Sequence, residues 1–227
     1  MTKTNPGAAA IAAHGWLAAH RFLLLRRIAQ IGFLGLFLLG PWAGLWLVKG
    51  NLTSSRTLDV LPLTDPYVLL QSIFAGHWPE LTALLGAAIV VAVYALVGGR
   101  AYCAWVCPLN PVTDAAHWLR QRLGLDMNLQ IGRQARFWVL AASLVASLAT
   151  GTIAWEAVNP ISMLHRELIF GTIFAGSLAG AVVLAVFLFD LGVSNRGWCG
   201  HLCPVGAFYG LIGAASIVRI SAVRRAA

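Results

Sequence analysis

Acidic residues are scarce in this sequence: eight Asp and Glu among 227 residues, with charged residues of all kinds making up 11%. A soluble domain carries about 25% charged residues, so water is not the main solvent of this chain. Cysteine is scarcer still, with four in all, and none stands outside two short motifs. The first apolar stretch follows Arg26-Arg27 but is longer than a signal h-region and has no Ala-x-Ala exit. A cleaved secretory or twin-arginine signal is thereby disfavoured. The bacterial ferredoxin run C-x2-C-x2-C-x3-C-P is missing too; only its last step, C-x3-C-P, is found.

What the sequence has in abundance is apolar length, with 59% hydrophobic residues and a mean hydropathy of +0.77. Crossing a hydrocarbon core of ~30 Å takes roughly 20 apolar residues at ~1.5 Å each. Four runs approach that length: Ile28 to Val48, Leu81 to Val97, Phe137 to Trp155 and Leu168 to Leu191. Gly40-Pro41 inside the first would break a soluble helix but is tolerated as a kink in a membrane. The expected fold class is an all-α integral membrane protein with four transmembrane helices. Val205 to Val218 is apolar but too short for a confident fifth span, and reads as an interfacial helix. The expected organisation is therefore a cytoplasmic segment over 1–25, a four-helix transmembrane domain over 26–204, and an interfacial helix with a basic tail over 205–227.

Thirteen of the sixteen basic residues fall in three places. Lys3, Arg21, Arg26 and Arg27 precede span one; Arg100, Arg120, Arg122, Arg133 and Arg136 separate spans two and three; Arg196, Arg219, Arg224 and Arg225 follow span four. The other two loops hold Lys49, Arg56 and Arg166 beside Asp59, Asp65, Glu80, Glu156 and Glu167. The positive-inside rule then puts both termini in the cytoplasm of a bacterial inner membrane. The net charge of +8 is explained without nucleic acid.

The stretch from Asp65-Pro66 to Cys107-Pro108 shares a plan with that from Asn159-Pro160 to Cys203-Pro204. Each opens on a polar residue and proline in an external loop, crosses inward, and ends on an arginine, a small residue, an aromatic and a cysteine pair. Pro66 to Cys103 is 37 residues and Pro160 to Cys199 is 39. With spans one and three leading each half, the chain reads as a duplicated two-helix unit, an arrangement that places a shared site at the repeat interface.

The motifs are Cys103-Ala-Trp-Val-Cys107-Pro108 and Cys199-Gly-His-Leu-Cys203-Pro204. Positions i and i+4 share a helix face, so each pair presents two thiols to one centre. The proline disfavours helical geometry at Cys107 and Cys203, which places each motif where an even-numbered span yields to a turn. A reducing cytoplasmic side argues against disulfides. Inert packing is a fair reading of one cysteine, less so of a duplicated pair. Soft thiolates select iron–sulfur clusters, zinc or Cu(I), and the four complete a tetrathiolate ligand set if the halves meet.

These motifs, the phrase Trp155-Glu156-Ala157-Val158-Asn159-Pro160-Ile161-Ser162 and the phrase Arg196-Gly197-Trp198-Cys199-Gly200-His201-Leu202-Cys203-Pro204-Val205-Gly206-Ala207 together resemble the NapH family. That family comprises membrane quinol dehydrogenase subunits serving periplasmic nitrate reductase. The resemblance runs from about Arg26 to Arg225. It implies a [4Fe–4S] cluster, quinol as substrate, and iron–sulfur and cytochrome electron-transfer subunits of a nitrate reductase system as partners. Members of the family continue into a cytoplasmic tail with two four-cysteine ferredoxin motifs, which this sequence, ending at Ala227, does not contain.

Quinol oxidation releases two electrons and two protons, so its site needs an apolar groove and a proton acceptor near water. Ionisable residues near the outer boundary are the places to look. His77, Glu156 and His165 are the candidates, against a bland reading in which each is a solvated loop residue and the neighbouring tryptophans are interfacial anchors. The main alternative to a redox enzyme subunit is a non-enzymatic membrane anchor that docks an electron-transfer partner and holds a structural metal on its thiols. A Cu(I) carrier ranks last, because no span contains a Cys–Met path.

Overall fold

The computed structural model describes residues 8–125, 129, 131–171, 177–214 and 216, and among these the chain is mostly helical. Lys3, Arg219, Arg224, Arg225 and positions 172–176 of the expected fourth span lie outside the described residues. Helix α1 (Ala8–Ala43) is broken at Gly15 and keeps Pro41 inside it. Its stretch Gly15–Ala43 is, among the described residues, the one helix long and apolar enough to cross a membrane.

Three strands follow, β1 (Val48–Gly50), β2 (Ser54–Thr57) and β3 (Leu61–Thr64), forming an antiparallel sheet in that order. Val48 therefore opens a strand rather than closing the first apolar helix. Helix α2 (Pro66–Phe74) is capped by Asp65, whose carboxylate accepts from the Tyr67 N–H, with proline at the first turn, where its missing N–H costs nothing. Helix α3 (Leu81–Val97) matches the second apolar run. It packs against β3, where a Cβ on Gly86 would stand 3.1 Å from the backbone of Pro62 and Thr64.

After the first cysteine turn come α4 (Leu109–Leu123) and α5 (Ala135–Thr150). The third apolar run ends at Thr150; Trp155 belongs to a 3-10 turn, Ala154–Ala157. The expected fourth span is divided. Leu168 to Phe170 finish α6 (Pro160–Phe170), closed by Gly171 at φ 66°, and a separate helix α7 (Leu178–Gly192) starts at its Ser177 cap. Asn159 caps α6 as Asp65 caps α2, accepting from the Ile161 N–H. Helix α8 (Pro204–Ala214) follows the second cysteine turn and packs on α3 and α5 with Val205, Ala207 and Tyr209 buried. Its Leu211 is exposed, and the expected interfacial helix over Val205 to Val218 extends past the described residues.

The order of long helix, Asx-capped short helix, apolar helix, cysteine turn and helix thus occurs twice, and the two halves interlock. Helix α2 of the first half lies along α5 of the second: the Tyr67 hydroxyl meets Ser143 Oγ at 2.6 Å, and Ser147 Oγ donates to Gln71 Oε1 at 3.2 Å. Both residue numbers rise together, so α2 runs parallel to α5. The connection from α1 to α3 consequently folds back along the bundle, and Asp65 reaches the Tyr209 hydroxyl at 3.3 Å. Its Asx-Pro step lies inside the assembly rather than in an outer loop. Conversely, α6 packs on α1, and α4 on α7.

Candidate functional site

Each cysteine motif forms a single π-helical turn, Tyr102–Val106 and Trp198–Leu202. The Cys107 N–H donates to Tyr102 O at 3.0 Å and the Cys203 N–H to Trp198 O at 2.9 Å. Cys107 and Cys203 themselves are extended (φ −62°, ψ 117° and φ −67°, ψ 112°), as the following prolines require. Such bulges widen the helix locally and recur at functional sites.

The two turns approach each other at Gly206. Cys107 and Cys203 are buried in the same core cluster, against which Cys103 packs, and all four thiols are free. A Cβ on Gly206 would lie 3.9 Å from Cys103 Sγ, 3.9 Å from Cys203 Cβ and 3.6 Å from Cys199 O. Tyr102 of the first turn stacks on Tyr209 of α8, ring centroids 4.5 Å apart, and Tyr94 meets both edge-on. Further pins come from Gln30, whose amide donates to Ala104 O at 2.9 Å, and Asn110, which donates to Cys103 O at 3.3 Å.

Burial pushes the Cys103 thiol up to about 11 and Cys199 and Cys203 to about 12, and neighbouring thiols add to the shift. Four thiolates here need a compensating cationic group, which is what iron in a cluster provides. The four-thiol donor set therefore fits an iron–sulfur group. Among the described residues, no group of three or more His, Cys, Asp or Glu side chains is placed to hold a metal ion.

Asp190 is fully buried near the end of α7, and its Oδ1 accepts from the Trp198 N–H at 2.9 Å, fixing the second turn. Arg120, 5% exposed, closes the end of α7 by donating to Leu191 O at 3.1 Å and Asp190 O at 3.3 Å. Asp114 gathers Arg26 at 2.7 Å, Arg27, and Arg196 at 3.2 Å. The charge pattern singled out the arginines as a class but not this single carboxylate, which only the fold brings to them.

Of the quinol candidates, Glu156 and His165 line one cavity of about 360 Å³, with Ser162, Met163, Arg166 and Ile169. His165 is buried, edge-on to Phe37 of α1 at 5.5 Å, and its Nε2 has no partner among the described residues. Burial holds its imidazole below the ordinary range. Asn159 Nδ2 donates to Glu156 Oε2 at 3.1 Å. His77 takes no part in that wall: it is exposed and donates from Nε2 to Gly151 O at 3.1 Å, joining the α2–α3 connection to the end of α5.

Comparison with known proteins agrees with the donor set. A family model described as "4Fe-4S binding domain" matches residues 80–126 and 170–221, each segment containing one cysteine turn. The methylamine utilization ferredoxin-type protein MauN of Methylorubrum extorquens is 55% identical over 95% of this chain and 74% of its own length. The ferredoxin-type protein NapH of Escherichia coli is 48% identical over 98% of this chain and 76% of its own, and NapH of Haemophilus influenzae 46% over 93% and 72%. No solved structure matches. With such relatives aligned through both cysteine turns, the chain belongs to the NapH-type family of ferredoxin-type electron-transfer proteins with a 4Fe–4S domain.

Proposed function

We propose that this chain is a multi-pass inner-membrane subunit that oxidises quinol in the cavity of Glu156 and His165, and that Cys103, Cys107, Cys199 and Cys203 together hold one [4Fe–4S] cluster. The observation that carries the reading is the approach of the two cysteine turns, one from each half, across Gly206. When bound, such a cluster supplies a one-electron store.

In this reading α1, α3, α5 and α7 cross the membrane as a duplicated two-helix unit. Supporting it, large apolar side chains are exposed along all four, among them Ile31, Leu85, Leu148 and Leu184, as a lipid-facing surface requires. The meeting of Arg26, Arg27, Asp114 and Arg196 draws together the segments before span one, between spans two and three, and after span four. Those three segments then share one side, consistent with cytoplasmic termini.

His165, buried and neutral at neutral pH, accepts a proton from a quinol hydroxyl. Glu156, steadied by Asn159, takes protons onward to the outer water. Met163 and Ile169 supply the apolar wall. In this reading electrons leave for iron–sulfur and cytochrome partners of a periplasmic nitrate reductase system. The higher identity to MauN, 55% against 48%, favours a second destination, a methylamine-utilisation chain, from the same site.

The test is single-turnover reduction of the anaerobically purified protein by a quinol analogue. Wild type is reduced, and His165→Gln slows the reaction on the order of a hundredfold, the lower end for loss of a general base. The wild-type rate falls on acidification as His165 takes up a proton, and His165→Gln loses that limb of the profile. A protein reduced by dithionite but never by quinol contradicts the quinol assignment and leaves the cluster assignment standing. Bound zinc without iron supports the anchor.

A further inference from the structure

The chain has nine tryptophans, and seven of them are 39% or more exposed, as boundary anchors are. Two are not. Trp155 is 6% exposed and Trp198 half-buried, and their rings stack with centroids 6.4 Å apart and planes 22° from parallel. Trp155 belongs to the 3-10 turn after α5 and Trp198 to the second cysteine turn. Trp155 adjoins Glu156 and Ala157 in the cavity wall; Trp198 adjoins Cys199.

The backbone of each ring is held by a fully buried polar side chain from another element. Gln71 Oε1 accepts from the Trp155 N–H at 3.0 Å, and Asp190 Oδ1 from the Trp198 N–H at 2.9 Å. Ser147 Oγ also accepts from the Ala154 N–H at 3.2 Å, folding the 3-10 turn back along α5 so that Trp155 descends toward the second cysteine turn. Both indole N–H groups are buried without an acceptor among the described residues, although buried indoles usually find one. Hydrogen bonding of the rings themselves therefore does not account for their placement.

We propose that Trp155 and Trp198 form the electron bridge between the quinol cavity and the second cysteine turn. This rests on the quinol reading above. Two O–H bonds of quinol break, the protons passing to His165 and Glu156 and on to water. Its two electrons cross the indole pair one at a time toward Cys199, and each leaves to an external iron–sulfur acceptor before the next follows. Neither indole is oxidised or reduced; the pair supplies an aromatic path where aliphatic side chains would couple more weakly.

The experiment compares wild type with Trp155→Leu, Trp198→Leu and Trp155→Phe in the full chain in detergent, with an oxidised soluble ferredoxin added as the external electron acceptor. Iron content, the dithionite-reduced EPR signal and the midpoint potential stay at wild-type values. The rate of reduction by quinol falls on the order of tenfold in each leucine variant, equivalent to about 1.4 kcal/mol in the barrier, and Phe restores part of it. Independently of any cluster, the apo wild type gives an exciton couplet in the circular dichroism of the indole bands that Trp155→Phe removes. Leucine variants reduced at the wild-type rate, or a wild type without the couplet, overturn the bridge. A wild type that quinol fails to reduce, yet which shows the couplet, instead overturns the quinol reading and removes the bridge's function with it.

Discussion

Replacing Gly99 by alanine lowers the stability of the helical assembly by roughly 3 kcal/mol or more, at or above the upper end of ordinary overpacking, and valine prevents it from forming. A Cβ at Gly99 would run into Tyr209 O and stand 2.7 Å from Tyr209 C and 2.8 Å from Gly213 N. All three are backbone atoms, so no rotamer change relieves the clash and α8 must move away from the end of α3. A Cβ at Gly213 would meet Gly99 N at 2.8 Å in return; the crossing needs both glycines, in the manner of small-residue contacts between membrane helices. Displacing α8 also parts the Tyr102–Tyr209 stack and the Tyr209–Asp65 bond. Total stabilities are of order 5–15 kcal/mol, so the loss is visible as a lowered midpoint of thermal unfolding followed by helical circular dichroism in detergent. Gly124→Ala is the control: nothing lies within 4 Å, and only its φ of 65° is unfavourable, worth about 1–2 kcal/mol. Equal midpoints for Gly99→Ala and wild type contradict the close crossing.

Asp190→Ala is expected to cost roughly 2–3 kcal/mol, the range for stranding a buried hydrogen-bonding group. The carboxylate is fully buried, and its loss strands the Trp198 N–H. The second cysteine turn then loses its anchor, so the variant should also retain little iron after purification. Asp190→Asn keeps an acceptor at Oδ1 and is expected to hold the turn. Iron content and unfolding midpoint, measured on both variants, separate the two roles: if alanine behaves as asparagine does, the hydrogen bond to Trp198 is not what fixes the turn.

The cysteine turns were the most legible part of the sequence, because proline after Cys107 and Cys203 acts locally on the preceding residue's backbone. The Asx-Pro steps at Asp65 and Asn159 were legible as repeat markers, and their capping geometry follows from the same residues. Their depth was not. The fold-back from α1 to α3 is built from strands of three and four residues, too short to display alternation, and its depth is set by contacts such as Tyr67–Ser143 across 76 residues. Hydropathy ran without a break past Phe170, so the division between α6 and α7 at Gly171 left no signal in composition. Trp155 read as an anchor because it ends an apolar run; only Gln71 and Ser147, which draw its turn inward, reveal it as an interior residue. Glu156 and His165 were picked out as ionisable residues near the expected outer boundary, and the cavity unites them while leaving His77 apart.

Whether two cysteine turns, one from each half, hold a single cluster is decided by iron and acid-labile sulfide, measured alongside EPR before and after dithionite on the anaerobically purified 227-residue chain. Iron and sulfide matching one [4Fe–4S] cluster per chain are expected, and both are lost in Cys103→Ser and in Cys199→Ser. Absence of iron and sulfide from the wild type, or a signal that survives either substitution unchanged, would contradict the shared cluster.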